Sequence, residues 1–297
     1  MNTSGQYLGR FAPSPSGELH FGSLVAAMAS YCDAKHNHGQ WLVRIDNIDP
    51  PREVSGATNS IIESLKAFGL NWDNDILMQA DRSDAYRSAL NTLSAANLLY
   101  CCSCIRRDLK AFQHYPGRCV PASLPSAQND VMNRLNEGAA LTSIRMRIQG
   151  TVRFIDLCHG PIETDFNQTP DDPILVRKDG LFSYALACAI DDADGITHVV
   201  RGSDLLGTTS HQIAIMHGLG MTVPQYAHIP LATGLDGHKL SKQTHAAALD
   251  PQNAIALLGE SWVHLGQDRF TFSTTGEFWN AAVSRWQLSK VNSAIGS

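Results

Sequence analysis

Gly9-Arg10-Phe11-Ala12-Pro13-Ser14-Pro15-Ser16-Gly17-Glu18-Leu19-His20-Phe21-Gly22-Ser23 is the stretch from which the fold is read. A short apolar run turns abruptly at residues 13–17, where two prolines and a glycine fix a tight, non-helical path. Beyond it, Leu24, Val25, Ala27, Met28, Tyr31 and Cys32 recur at helical spacing. The order is strand, rigid loop, helix, with His20 at the turn into the helix. A helix N-terminus presents unpaired N–H groups and the positive end of the dipole, so this junction suits an anion. An isolated Pro/Gly turn is more often an ordinary surface turn, and a functional reading needs a second site.

Outward from this stretch, Gly39 is expected to stop the helix, and residues 40–48 read as a strand through Trp41, Val43 and Ile45, ended by Pro50-Pro51. Strand, helix, strand at this spacing predicts a parallel βαβ unit, which places ligands at the carboxyl ends of its strands. Arg44, Asp46, Asp49 and Arg52 cluster there; on residue type alone they are a solvated charged strand end. Residues 55–70 and 81–99 carry amphipathic helical patterns and read as core packing. Residues 143–148 and 152–156 alternate as a hairpin across Gly150, and 160–174 reads as polar, irregular chain. After residue 243 the pattern is helical, at 253–258 and 277–283.

The second site is Gly237-His238-Lys239-Leu240-Ser241-Lys242-Gln243. Alone it is a polar loop. Together, His20-Phe21-Gly22-Ser23 and Lys239-Leu240-Ser241-Lys242-Gln243 resemble the HIGH and KMSKS signatures of class I aminoacyl-tRNA synthetases. RFAPSPSGELHFG and LVRIDNIDPPR narrow the resemblance to the glutamyl/glutaminyl branch, with Asp46 where that branch writes Glu. The resemblance implies an α/β fold: a Rossmann-type parallel-sheet catalytic domain, an inserted zinc-bearing subdomain and a short helical C-terminal region. The expected division is 1–99 and 178–245 for the two catalytic halves, 100–177 for the insert and 246–297 for the C-terminal region.

It also implies roles. His20, Lys239 and Lys242 would be catalytic, with Gly22 and Ser241 joining them on ATP. Arg10, Phe11, Ala12, Pro13, Ser14, Asp46, Tyr184 and Arg201 would bind glutamate; the planar fork of an arginine suits its carboxylate. Mg²⁺ is expected with ATP.

Cys101, Cys102, Cys104 and Cys119 lie close in sequence, and such spacing has metal-ligand character, free thiols being the other reading. Cys-x-Cys followed by Tyr-x-x-x-Cys resembles the zinc site of glutamyl-queuosine tRNA(Asp) synthetases. It implies one Zn²⁺ on Cys102, Cys104, Tyr115 and Cys119, with Cys101 and His114 as competitors in the register. That branch implies tRNA-independent glutamate activation and transfer to the queuosine base in the tRNA(Asp) anticodon, an expectation joined to the short chain beyond the second signature. The competing readings are a truncated glutamyl-tRNA synthetase charging a tRNA 3′ end, and a non-catalytic nucleotide-binding paralogue, whose signatures should be damaged.

The whole composition sets bounds. With 297 residues, 43% hydrophobic and 17% charged, the chain reads as an ordinary globular protein. A net charge of −5 gives no global basic footprint, so a nucleic-acid partner would need a local one. Seven cysteines without an export signal read as thiols or metal ligands, and no apolar run is long enough for a bilayer. The expectation is a cytoplasmic monomer with no membrane partner.

Overall fold

The computed structural model describes residues 6–137, 141–232 and 247–291. Strand β1 (Leu8–Phe11) leads through the Pro/Gly turn to helix α1 (Phe21–His36), which returns as β2 (Gln40–Ile45). Next come α2 (Ala57–Ala67), β3 (Leu77–Met78) and α3 (Ser83–Ala95). A middle segment holds β4 (Leu99–Cys102), α4 (Arg106–Leu109), α5 (Gln128–Glu137), β5 (Ser143–Met146), β6 (Thr151–Asp156), β7 (Gly160–Asp165) and β8 (Ile174–Val176). Then follow α6 (Tyr184–Ala193), β9 (His198–Gly202), α7 (Leu206–Gly218) and β10 (Gln225–Ile229). Helices α8 (Ala254–His264), α9 (Thr275–Arg285) and α10 (Leu288–Val291) follow.

The main sheet runs β3-β2-β1-β9-β10-β6-β7, parallel throughout except for the β6–β7 pair. Strand order reverses between β1 and β9, because the chain first builds outward through β2 and β3 and then restarts on the other side of β1. Open parallel sheets bind ligands beyond the carboxyl ends of their strands at such a switch point. Helix α1 buries ten of its sixteen residues because both its faces are covered, by the sheet on one side and by α8 and α9 on the other. Its Asp33 accepts hydrogen bonds from the Tyr7 hydroxyl and from Trp286 Nε1, tying strand, helix and C-terminal region together. Trp262, Trp279 and Trp286 belong to the same core as Trp41. Among the described residues, no helix is long and apolar enough to cross a membrane.

Two sequence expectations fail here. The segments at 143–148 and 152–156 do not form a hairpin. β5 pairs antiparallel with β4 and β8 in a separate three-stranded sheet, whereas β6 pairs with β7 and β10. Gly150 (φ 81°) turns the chain between them, and its N–H and C=O bond to Asn167 Oδ1 and Phe166 N, so the turn belongs to the end of β7. Alternation identifies a strand but not its partner. The stretch expected to be irregular beyond Gly160 opens with β7, and β6 and β7 extend the main sheet.

Gly39 ends α1 by proximity, not by handedness. The left-handed residue is His38 (φ 55°), while an ideal Cβ on Gly39 would lie 2.4 Å from the Tyr7 carbonyl oxygen. Because the clash is with backbone, Gly39→Ala should destabilise the fold by about 1–3 kcal/mol, the usual cost of overpacking. Urea unfolding measures it, and an unchanged midpoint would show that β1 and the α1–β2 turn can move apart freely.

Candidate active site

The Pro/Gly turn is held against the chain that follows β2 by two backbone bonds, Asp46 N–H to Pro13 O (3.0 Å) and Val54 N–H to Pro15 O (2.9 Å). His20 is the N-cap of α1. Its Nδ1 accepts from Ser23 N–H (3.3 Å), and Ser23 Oγ accepts from His20 N–H (3.4 Å), a reciprocal cap that fixes the ring at the positive end of the helix. The chain returning at residue 247 runs beside it: His20 bridges Ala248, and Leu249 N–H donates to Leu19 O at 2.9 Å. Lys239, Ser241 and Lys242 lie outside the described residues.

Beneath the turn is a buried charge network. Arg10 from β1 donates Nε and Nη2 to Asp192 of α6, both at 3.0 Å, and Arg44 from β2 donates Nη1 to the same carboxylate at 2.6 Å. Arg44 Nε donates to Asp46 at 2.7 Å, and Cys188 Sγ touches both Arg44 and Asp46 (3.4 and 3.5 Å). The neighbouring Asp191 is held by Gln79, Arg82 and the Tyr86 hydroxyl at 2.7–2.8 Å. Burial alone would raise Asp192, but Arg10 and Arg44 hold it well below the usual carboxylate range. At Asp46 the balance reverses: burial outweighs Arg44, and its pKa lies above the ordinary value. Burial, with Cys188 beside it, also raises the Tyr184 hydroxyl, which stays protonated.

Arg201 of β9 faces a third group of residues. It is 4% exposed; its Nε donates to His228 Nε2 (3.1 Å) and its Nη2 to Thr209 Oγ1 (2.8 Å) and Gln212 Oε1 (2.7 Å). The guanidinium carbon lies 5.3 Å from the Tyr226 ring centre. Arg201 Nη1, Gln212 Nε2 and the Tyr226 hydroxyl are buried and have no partner among the described residues. Unpartnered buried donors are costly, so three around one guanidinium mark a place for an acceptor from outside the chain.

Ser14, Asp46 and Tyr184 line a cavity of about 250 Å³ together with Asp49, Arg52 and Arg177. Tyr184 in turn sits within the fields of Arg10, Asp46 and Arg201. The structure therefore brings Arg10, Ser14, Asp46, Tyr184 and Arg201 to the switch point. Phe11 departs from that group: its ring is buried, stacked 6.2 Å from Trp41 in the core, so only its backbone is on offer. Ala12 and Pro13 are turn residues of the same loop. Sequence reading singled out neither Cys188 nor Asp192 for a role, nor His228 or Asp156. Two adjacent acids on an otherwise apolar helix were the available signal for Asp192.

In the second sheet, Cys102, Cys104 and Cys119 place their sulfurs within 4.8 Å of one another, a cluster able to hold a metal ion. The Tyr115 hydroxyl lies 3.6 Å from Cys102 Sγ and accepts from Cys119 N–H at 2.8 Å. Strand alternation in β4 turns Cys101 to the opposite face, where it packs against a different core. His114 is engaged with Asp171 at 3.2 Å. Burial works against ionisation of Cys119, yet the Ser103 N–H and the neighbouring side chains bring it down to about 6. A thiolate is thus readily formed where a cation would sit.

A histidine-capped helix start thus stands at the switch point of a parallel sheet, with buried arginines beside it. The chain belongs to the class I tRNA synthetase family for E and Q: residues 7–254 match the family's catalytic domain. It is a ligase-type enzyme of that family. A Shewanella oneidensis protein named glutamyl-Q tRNA(Asp) synthetase is 40% identical over 98% of this chain and 94% of its own. The protein of that name from Escherichia coli (strain K12) is 42% identical over 97% of this chain and 92% of its own. Among solved structures, a glutamate tRNA ligase from Elizabethkingia meningosepticum, in complex with its amino acid, superposes with a TM-score of 0.77 at 24% identity. That match covers 96% of this chain and 66% of the other, and shows the fold.

The network yields a pH signature. Since the folded pKa of Asp192 lies below its unfolded value of about 3.9, its contribution is complete above that value and is lost as pH falls through and below it. Asp192→Asn should cost about 3–5 kcal/mol at pH 7 by leaving two buried arginines underpaired. It should also flatten the acid limb between about pH 4 and 3. Urea midpoints across this range test both, and parallel acid limbs would remove Asp192 from the titration.

Proposed function

We propose that the chain activates L-glutamate with ATP, without tRNA, and transfers the glutamyl group to the queuosine base in the anticodon of tRNA(Asp). The carrying observation is the cluster of buried donors around Arg201 that lacks an acceptor. The side-chain carboxylate of glutamate satisfies it with charge-assisted bonds, whereas the amide of glutamine offers one oxygen and no charge. Asp46, held above its ordinary pKa by burial, gains from a cation beside it, which the substrate ammonium supplies.

In the first step an α-carboxylate oxygen attacks the α-phosphorus of ATP. The new acyl–phosphate bond replaces the α–β phosphoanhydride bond, and pyrophosphate leaves. His20 and the first turn of α1 meet the phosphates. Lys239 and Lys242 close over the departing pyrophosphate, with Gly22 and Ser241 beside the nucleotide, and Mg²⁺ travels with ATP. In the second step a hydroxyl of the acceptor attacks the adenylate carbonyl, forming an ester and releasing AMP. The relatives named for the queuosine reaction, aligned over nearly their whole length, support that acceptor.

The same reading assigns one Zn²⁺ to Cys102, Cys104, Tyr115 and Cys119, a soft donor set of the kind that selects zinc. It takes 100–177 as an insert carrying that ion between catalytic halves 1–99 and 178–245, with 246–297 as a helical C-terminal region. ATP and tRNA as substrates fit a cytoplasmic enzyme, and it is taken to act as a monomer.

Pyrophosphate should exchange into ATP with glutamate alone, and labelled glutamate should then enter tRNA(Asp) only when queuosine is present. Lys242→Ala should slow exchange by roughly 10²–10³. Strict dependence on tRNA, preference for glutamine, or labelling of a 3′-terminal adenosine would each contradict this function.

For the ion, metal analysis should find one zinc per chain, lost in Cys102→Ser and kept in Cys101→Ser. The opposite pattern would put the ligand register off by one residue.

A further inference from the structure

His228 of β10 is fully buried between Asp156 of β6 and Arg201 of β9. Its Nδ1 lies 2.6 Å from Asp156 Oδ2, and its Nε2 lies 3.1 Å from Arg201 Nε and 3.0 Å from Thr209 Oγ1. These contacts fix the tautomer. An arginine Nε always carries hydrogen and cannot accept, so His228 Nε2 must be the acceptor and the ring proton must sit on Nδ1. That proton is donated to Asp156, whose other oxygen, Oδ1, accepts the backbone N–H groups of Cys158 (2.9 Å), His159 (3.0 Å) and His228 itself (3.3 Å).

We infer that Asp156 and His228 are positioning residues for amino-acid recognition: by keeping the ring proton on Nδ1 they hold the Arg201 fork by its Nε edge and leave Nη1 for the substrate carboxylate. This rests on the reading of Arg201 as the glutamate-recognising arginine. Electrostatics support the assignment. Burial outweighs the pull of Asp156 and lowers the pKa of His228, so the ring is neutral at neutral pH. Asp156 stays below its ordinary value despite burial, through its bonds to His228 and to the backbone. Four groups contact the guanidinium directly: Thr209 and Gln212 at Nη2, the Tyr226 ring, and His228 at Nε; only the contact from His228 depends on where a ring proton sits.

Asp156→Asn isolates that proton. Its amide oxygen must remain where three backbone N–H groups converge, so its NH₂ faces His228 Nδ1. The imidazole then has to accept at Nδ1 and carry its proton on Nε2, opposite Arg201 Nε–H. Two donors face each other and the guanidinium is displaced. The variant changes no side-chain volume at the site, and packing gives no reason for a selective defect.

In glutamate-dependent pyrophosphate exchange, Asp156→Asn should raise KM for glutamate about 10- to 100-fold, the range for loss of one hydrogen bond to a charged group. KM for ATP should stay within about twofold, while discrimination against glutamine narrows by a similar factor to the glutamate defect. Histidine-selective ¹⁵N NMR of the wild-type chain, with His228 assigned by its loss in His228→Gln, should show the Nδ1–H tautomer. The signal should switch to Nε2–H in Asp156→Asn. A wild-type Nε2–H form, or an unchanged glutamate KM in a folded Asp156→Asn, overturns the inference. If Asp156→Asn does not fold, the wild-type spectrum still decides it. Arg201→Lys separates the two levels: an unchanged glutamate KM there overturns the role of Arg201 itself. A raised KM in Arg201→Lys with none in Asp156→Asn overturns only the relay.

Discussion

The carboxylate of Asp192 is the point on which the active-site half of the molecule closes. It accepts from Arg10 on β1 and Arg44 on β2, and so stitches the first βαβ unit to α6, which is separated from it by more than a hundred residues of chain. Asp192 is the carboxylate that pairs with Arg10, and it shares Arg44 with Asp46; an unpaired buried charge costs several kcal/mol. The pairing therefore acts as a condition on assembly. Only when α6 is docked can β1 and β2 present their carboxyl ends in the geometry that shapes the cavity. Hydrophobic burial supplies the driving force, and the ion pairs select one arrangement from many compact ones.

That arrangement explains why recognition chemistry collects where it does. Strand order reverses beside β1, so β1 and β9 offer their ends without a crossover helix between them, and the residues that follow each strand meet over the gap. Helix α1 brings a positive end, β9 brings a guanidinium, and the edge of β2 brings Asp46. Charges of both signs, Asp46 and Asp49 with Arg52 and Arg177, line the cavity beside the turn. The separate three-stranded sheet answers to different physics: its small third core is built around Tyr100, Cys102 and Tyr115, with the other two clustered thiols packed on it. So little apolar area is a natural place for a metal to contribute folding energy.

Legibility in the sequence followed the range of the interactions. The turn from Gly9 to Ser23, α1 and β2 were readable because their signals are local: two prolines and a glycine, then helical spacing, then a short β-branched and aromatic run. The thiol register was ambiguous, since Cys101 and Cys102 are chemically equal, and only the alternation of β4 separates them. The partner of β6 was not readable. Its alternation is the same whether it pairs with β5 or β10, and the choice is made by contacts some seventy residues away, such as Tyr226 beside Asp156. Asp156 and His228 share this difficulty, for neither lies in a pattern that a linear reading detects. Phe11 shows the converse: a residue inside a signature whose ring serves the core.

The double clamp on α1 has a mechanical side. A helix held on one face only can rock or slide at small cost, whereas one pinned between a sheet and a second helical layer moves as part of a rigid block. Because Asp33 ties the far half of α1 to both Tyr7 and Trp286, the register of the helix is fixed along its length, and His20 inherits that precision. The three C-terminal helices thus act as ballast for a single imidazole at the opposite end of the rod. Sequence drift at Trp262, Trp279 or Trp286 would be felt as a loosened setting of that imidazole before it was felt as a loss of fold.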